Sequence, residues 1–132
     1  PHIFRGPFLD IRNFLRVRVD EIKAATLPLI LVFVASCLES YFRTVRPSKK
    51  TPFKRLIEEW RRELGDKLTK DAHEIRIKRN VILHTAGVIN AKNKKEFDDI
   101  GLTTYTEGSK LALNEDEVRG HINTIERICG LV

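Results

Sequence analysis

The chain has no methionine and only two cysteines, Cys37 and Cys129, among its 132 residues. Two cysteines so far apart and outside any Cys/His cluster make neither a zinc site nor a disulfide framework. Each falls within an apolar helical pattern and reads as a buried apolar filler, which fits a reducing compartment such as the cytoplasm. The missing initiator methionine fits a piece of something longer. Long hydrophobic runs are also lacking. The longest, residues 27–38, falls short of the roughly 20 apolar residues that a membrane-spanning helix needs, so it reads as a core helix and no membrane association is expected. The N-terminus does not show the charged head, apolar run and small-residue cleavage site of a signal peptide. The seven glycines are scattered, so no glycine-rich loop can cradle a phosphate, and no Ser or Cys stands in a nucleophile elbow. His73 and Glu74 open like a zinc-protease helix, but Ile77 stands where the second metal ligand would be, which sets a zinc hydrolase aside.

What is present is the composition of one folded domain, with 42% apolar and 32% charged residues. The net charge of +6 hides an asymmetry. Residues 1–95 hold 21 Lys and Arg against 10 Asp and Glu, whereas residues 96–132 hold 3 against 8. A basic front and an acidic back favour a polyanion as partner for one face, since Lys and Arg displace the counterions condensed on phosphates; a merely solvated basic surface is the alternative.

The apolar spacing is helical almost throughout, which predicts an all-α, up-and-down bundle of four to five helices. Residues 1–9 carry two prolines and a glycine without periodicity and read as an N-terminal arm, with a single helical domain over 10–132. Ile11, Phe14, Leu15, Val19 and Ile22 mark a first helix ending near Ala25. Thr26 as N-cap and Pro28 in the first turn start a second and central one that ends near Val45. Thr51 and Pro52 repeat that start for a third helix, over 53–64. Gly65 ends it, and a fourth runs from Lys67 to His84, closed by Ala86 and Gly87. A turn and a short charged helix occupy 88–102. Residues 103–106 and 109–113, flanking Glu107 and Gly108, suggest a small β-hairpin. Asn114 and Glu117 have the form of a capping box for a last helix striped with Val118, Ile122, Ile125 and Cys129. Phe53 and Trp60 read as core residues rather than base-stacking platforms. The string Arg43, Arg46, Lys49, Lys50, Lys54 and Arg55 is either a phosphate-binding rim or a charged helix junction.

The fourth helix carries the chemistry. At about 100° per residue, Ala72, Ile75, Ile82 and Leu83 share a core-facing arc with Arg79 in its middle, where a guanidinium is costly unless paired or lining a cleft. A second arc collects His73, Arg76, Asn80 and His84, either a solvated stripe or the wall of a polar cleft shared between protomers.

The string Arg79-Asn80-Val81-Ile82-Leu83-His84, followed by Thr85-Ala86-Gly87-Val88-Ile89-Asn90, resembles the signature of HEPN domains, in which an Arg and a polar residue precede a His by four to six positions on a helix. The likeness covers roughly residues 10–130, including the long apolar helix before the motif and the His-x-x-Gly continuation. It implies a metal-independent endoribonuclease without a cofactor, with Arg79, Asn80 and His84 as its catalytic residues, working as a cytoplasmic homodimer and acting as a toxin or defence effector restrained by an antitoxin or other inhibitory protein. His73, Arg76 and Lys78 are candidate RNA contacts, with solvated side chains as the alternative. An imidazole ordinarily titrates near neutrality and suits proton transfer from the ribose 2′-OH and to the leaving 5′-oxygen. A guanidinium offers a fork to the phosphate, and the product would carry a 2′,3′-cyclic phosphate. Members modified by a partner nucleotidyltransferase carry Tyr two residues after the His, where this chain has Ala86, so that regulation is not expected. The other expectation from the same likeness is a non-catalytic module that binds RNA or a protein partner. Five residues of regular helix set Arg79 and His84 about 140° apart, so a shared target needs either a widened π-type turn or two protomers.

Overall fold

The computed structural model describes residues 2–47 and 50–131, with side chains from residue 17 onward except at 19. It is a bundle of five helices in the order α1 (His2–Val45), α2 (Phe53–Glu59), α3 (Arg61–Thr85), α4 (Ala91–Asp99) and α5 (Glu115–Leu131). No named strand occurs among the described residues. The all-α reading of the sequence therefore holds.

The first two expected helices are one. The backbone is helical from His2 through Val45, including residues 2–9 where the sequence shows no period; Pro1, and the side chains of Ile11, Phe14, Leu15 and Val19, lie outside the described residues. Thr26 caps nothing. Its hydroxyl donates to the Ile22 carbonyl at 2.5 Å, one turn back within the same helix. Pro28 then sits in a helix interior and leaves the Ala24 carbonyl without its usual donor.

One face of α1 supplies Leu31, Ala35, Leu38 and Phe42, all fully buried. The opposite face leaves Ile22, Leu29 and Phe33 in solvent, the last two 69% exposed. The stretch Asp20–Val45 is by length and composition apolar enough to cross a membrane, with mean hydropathy 1.8 and 17% of its window buried. This corrects the expectation drawn from the uninterrupted run alone, although the core helix of a bundle has the same composition.

Helix α3, not α1, is the hub: α1, α2, α4 and α5 all pack on it. Gly65 interrupts it with φ 79° and ψ 167°, a left-handed conformation that strains any residue with a Cβ. The helical run that follows begins close to Lys67, where the sequence placed it, but the expected helix over 53–64 is broken at Trp60, α2 ending at Glu59 and α3 starting at Arg61. One core cluster joins Leu38 and Phe42 of α1, Leu56 and Ile57 of α2, Leu68 and Ala72 of α3 and Ile128 of α5. A second gathers Ile77, Val81, Ile89, Phe97 and Leu111. Phe53 is buried and Trp60 half-buried, its ring stacked against Phe42 with centroids 6.3 Å apart. Both are core residues, as expected.

The expected hairpin does not form. Residues 103–106 do not pair with 109–113; instead Lys110 bridges Val88 in antiparallel sense, and Leu111 N–H donates to the Gly87 carbonyl at 2.7 Å. A turn closed by Ser109 N–H on the Thr106 carbonyl folds the intervening loop back on itself. The cysteines are also more open than expected, Cys37 exposed and Cys129 half-buried, because Cys37 lies on the outer face of α1.

Candidate functional site

Three polar groups of α3 expected at the surface are buried. His73 accepts the Arg76 Nε–H at Nδ1 (3.3 Å), so its Nε2 carries the proton and donates to Glu58 Oε1 at 2.6 Å. Arg76 then reaches Glu96 of α4 at 2.8 Å. Desolvation pushes the His73 pKa below its ordinary value, consistent with a neutral ring. The two hydrogen bonds from Arg61, aided by that from His73, hold Glu58 down at about 2. The result is a relay, Glu58–His73–Arg76–Glu96, that ties α2, α3 and α4 together and satisfies each buried group within the chain.

Lys78 is 1% exposed. Its ammonium lies 2.9 Å from His121 Nε2, 3.4 Å from Glu74 and 3.8 Å from Glu117. Burial, with the neighbouring Lys78 charge, lowers His121 to about 4, so the ring is neutral and accepts from the lysine. Both expectations for His73, Arg76 and Lys78, RNA contact and solvated side chain, placed them at the surface; each is instead buried and paired within the chain, because α3 is covered on nearly every side.

Arg79 is a third case. Its guanidinium is 14% exposed and donates to Glu39 Oε1 at 2.8 Å. It lies over the Phe53 ring, 4.8 Å from the centroid, and its Nε has no hydrogen-bond partner. Glu39 is gripped from the other side by Arg43 at 2.7 Å. Burial alone would raise the Glu39 carboxyl, but the hydrogen bonds from Arg79 and Arg43 together outweigh it and hold the pKa below its ordinary value. Glu39 thus fixes the direction of Arg79. No sequence pattern signals this partner, which lies 40 residues upstream.

Asn80 is half-buried, and His84, one turn later, is exposed. Neither is tied to another side chain among the described residues. Asn80 opens on a cleft of about 440 Å³ lined by Lys54, Lys92, Lys95 and Asp99 together with the Arg76–Glu96 pair. An adjoining hollow of about 170 Å³ exposes the edge of the His73 relay. The arc His73, Arg76, Asn80 is therefore a cleft wall, and His84 lies past its end. Leu83, expected in the core, is 55% exposed.

The helix is α-helical through Thr85. Wider bonding occurs only afterwards, where the N–H groups of Ala86 and Gly87 both reach the Val81 carbonyl. No π-type turn brings Arg79 and His84 together: Arg79 points at α1 and α2, and His84 into solvent. Of the three motif residues, the chain places Asn80 and His84 on an open stripe and Arg79 at its buried margin. Among the described residues no group of three or more His, Cys, Asp or Glu side chains could hold a metal ion. Comparison of the chain with protein-family models, with characterised proteins and with solved structures finds no match.

Proposed function

We propose that the chain is a HEPN-type, metal-independent endoribonuclease that works as a homodimer, with Arg79, Asn80 and His84 as its catalytic residues. The observation that carries the reading is the C-terminal end of α3, which presents an unpaired imidazole and an unpaired amide one turn apart beside a lysine-rimmed cleft. Arg79 adjoins them, prepositioned by Glu39. In the reaction His84 exchanges a proton with the ribose 2′-OH or the leaving 5′-oxygen. Arg79 meets charge on the phosphate, and Asn80 orients the scissile group. The 2′-OH is the nucleophile, which confines cleavage to RNA.

Within one protomer the two groups diverge, so the chemistry requires a second copy whose His84 faces the first copy's Arg79 across a two-fold axis. The exposed apolar side chains Ile22, Leu29, Phe33 and Leu83 supply surface that a second copy would cover.

One observation favours a different reading. An arginine already committed to Glu39 and Phe53 can be wholly structural, and the chain is then a non-catalytic module that binds RNA or a protein through the same surface. Incubation with labelled RNA in excess EDTA separates the two. The nuclease gives fragments ending in 2′,3′-cyclic phosphate that disappear in His84→Ala and in Arg79→Ala. The binding module shifts the RNA but leaves it intact.

A further inference from the structure

We infer that the cleft between the starts of α2 and α4 and the middle of α3 carries the sugar-phosphate backbone of single-stranded RNA past Asn80, held by Lys54, Lys92 and Lys95. The inference rests on the RNA-directed reading of Arg79, Asn80 and His84 and names the surface by which the substrate reaches them.

Three observations converge on it. The first is charge placed without local use. Lys54 and Lys92 have no ion-pair partner among the described residues. Lys95 has only an exposed pairing with Asp99 at 3.2 Å, the kind that contributes little in water. Of the two carboxylates in the cleft, the half-buried Glu96 is already engaged by Arg76, and the exposed Asp99 is the one that pairs with Lys95. The lining, with Lys54, Arg76, Lys92 and Lys95 against Glu96 and Asp99, is therefore net cationic.

The second is electrostatic conflict within α4. Its first turn contains no acidic residue and holds Lys92, so a cation sits at the positive end of the helix dipole. A capping box occupies the Asn93 N–H at that end. Asn90 accepts from Asn93 N–H at 2.8 Å, and Asn93 accepts from Asn90 N–H at 3.1 Å. Lysine there weakens the helix unless an anion lies against it.

The third is the cleft's character. It is open and about 440 Å³ in volume, and no aromatic side chain lines it. Bases cannot stack there, so the groups recognised are phosphates, and binding should be insensitive to sequence and sensitive to salt. Asn80 lies in the cleft and His84 one turn beyond it, so a strand held by the lysines passes directly to the motif. Attack by the 2′-OH needs a strand flexible enough to align in line, which selects single-stranded over duplex RNA.

The test uses a fluorescent 2′-O-methyl oligoribonucleotide, which cannot be cleaved, with anisotropy read across a salt series. The triple variant Lys54→Ala/Lys92→Ala/Lys95→Ala is compared with Arg62→Ala/Lys67→Ala/Arg127→Ala, an equal loss of exposed charge outside the cleft. The cleft variant should bind at least about tenfold more weakly. The slope of log K against log salt should fall by about 2, at roughly 0.7 for each phosphate that a lysine no longer neutralises. The control should stay close to the parent, and thermal melts should show both variants folded. Equal weakening in the two variants, no binding by the parent, or preference for an acidic peptide over the oligonucleotide each overturns the inference. Cleavage of unmodified RNA is scored in parallel. Binding through the cleft without cleavage removes the nuclease and keeps the surface, whereas His84-dependent cleavage with binding untouched by the lysine changes does the reverse.

Discussion

The two halves of α3 treat polar groups in opposite ways. From His73 to Lys78 each buried polar group finds its partner inside the chain, in one relay to α2 and α4 and one cluster with α5. From Asn80 to His84 the helix leaves an amide half-buried and an imidazole exposed and tethers only the neighbouring Arg79. Buried polar groups left unpaired are costly, so the first half is explained by stability alone. The second half gains nothing in stability from an exposed histidine beside an exposed leucine, and that contrast is what points to function there.

The comparison can be broken in both directions. The largest effect is expected at the open end: His84→Ala should lower RNA cleavage by about 10²- to 10⁴-fold while leaving the melting temperature unchanged, because the side chain is exposed. A loss of fold with the loss of activity would place His84 with the structural half. Next, Lys78→Met removes the charge that His121, Glu74 and Glu117 surround. By denaturant titration it should cost about 3 kcal/mol, with little change in the cleavage rate of the remaining folded protein. Unchanged stability would show that the cluster does not hold α5 to α3.

The smallest expected effect is a pH dependence of stability. In the unfolded chain His121 takes up a proton below its ordinary 6.5, whereas in the folded chain it resists until about 4. His73, also lowered by desolvation, acts in the same sense. Stability should be full above about pH 6.5 and fall progressively toward pH 4, by on the order of 2 kcal/mol from His121. Acid unfolding curves of His121→Gln should be flatter over that window. An equally steep loss in the variant would assign the effect to other groups.

The fold class, the break at Gly65, the short helix over part of 88–102 and the half-capping of α5 by Asn114 were legible because each rests on local chemistry; Glu117 N–H does donate to Asn114 Oδ1, at 2.8 Å. The join of the first two expected helices was not. Thr26 and Pro28 suit a helix start as well as a tolerated interior position, and only the packing of the segment around them decides. The burial of His73, Arg76 and Lys78 was hidden for a related reason. Periodicity separates one buried face from one wet face, but α3 is covered by four neighbours, and these side chains bond to residues from 15 to 43 positions away. Leu83 marks the converse error: its arc is apolar, yet its side chain is 55% exposed. Arg79 was legible as a problem, a guanidinium in an apolar arc, but its solution in Glu39 was not.

The regular backbone from Arg79 to His84 makes the shared site the central claim, and mixing two inactive variants tests it most directly. Arg79→Ala and His84→Ala protomers, unfolded together and refolded as a statistical mixture, should form mixed dimers with one complete site of two. They should restore about a quarter of the parent's ribonuclease activity, although each variant alone has none. A mixture as inactive as its components, from a parent that cleaves RNA, would contradict a site built from the Arg79 of one copy and the His84 of the other.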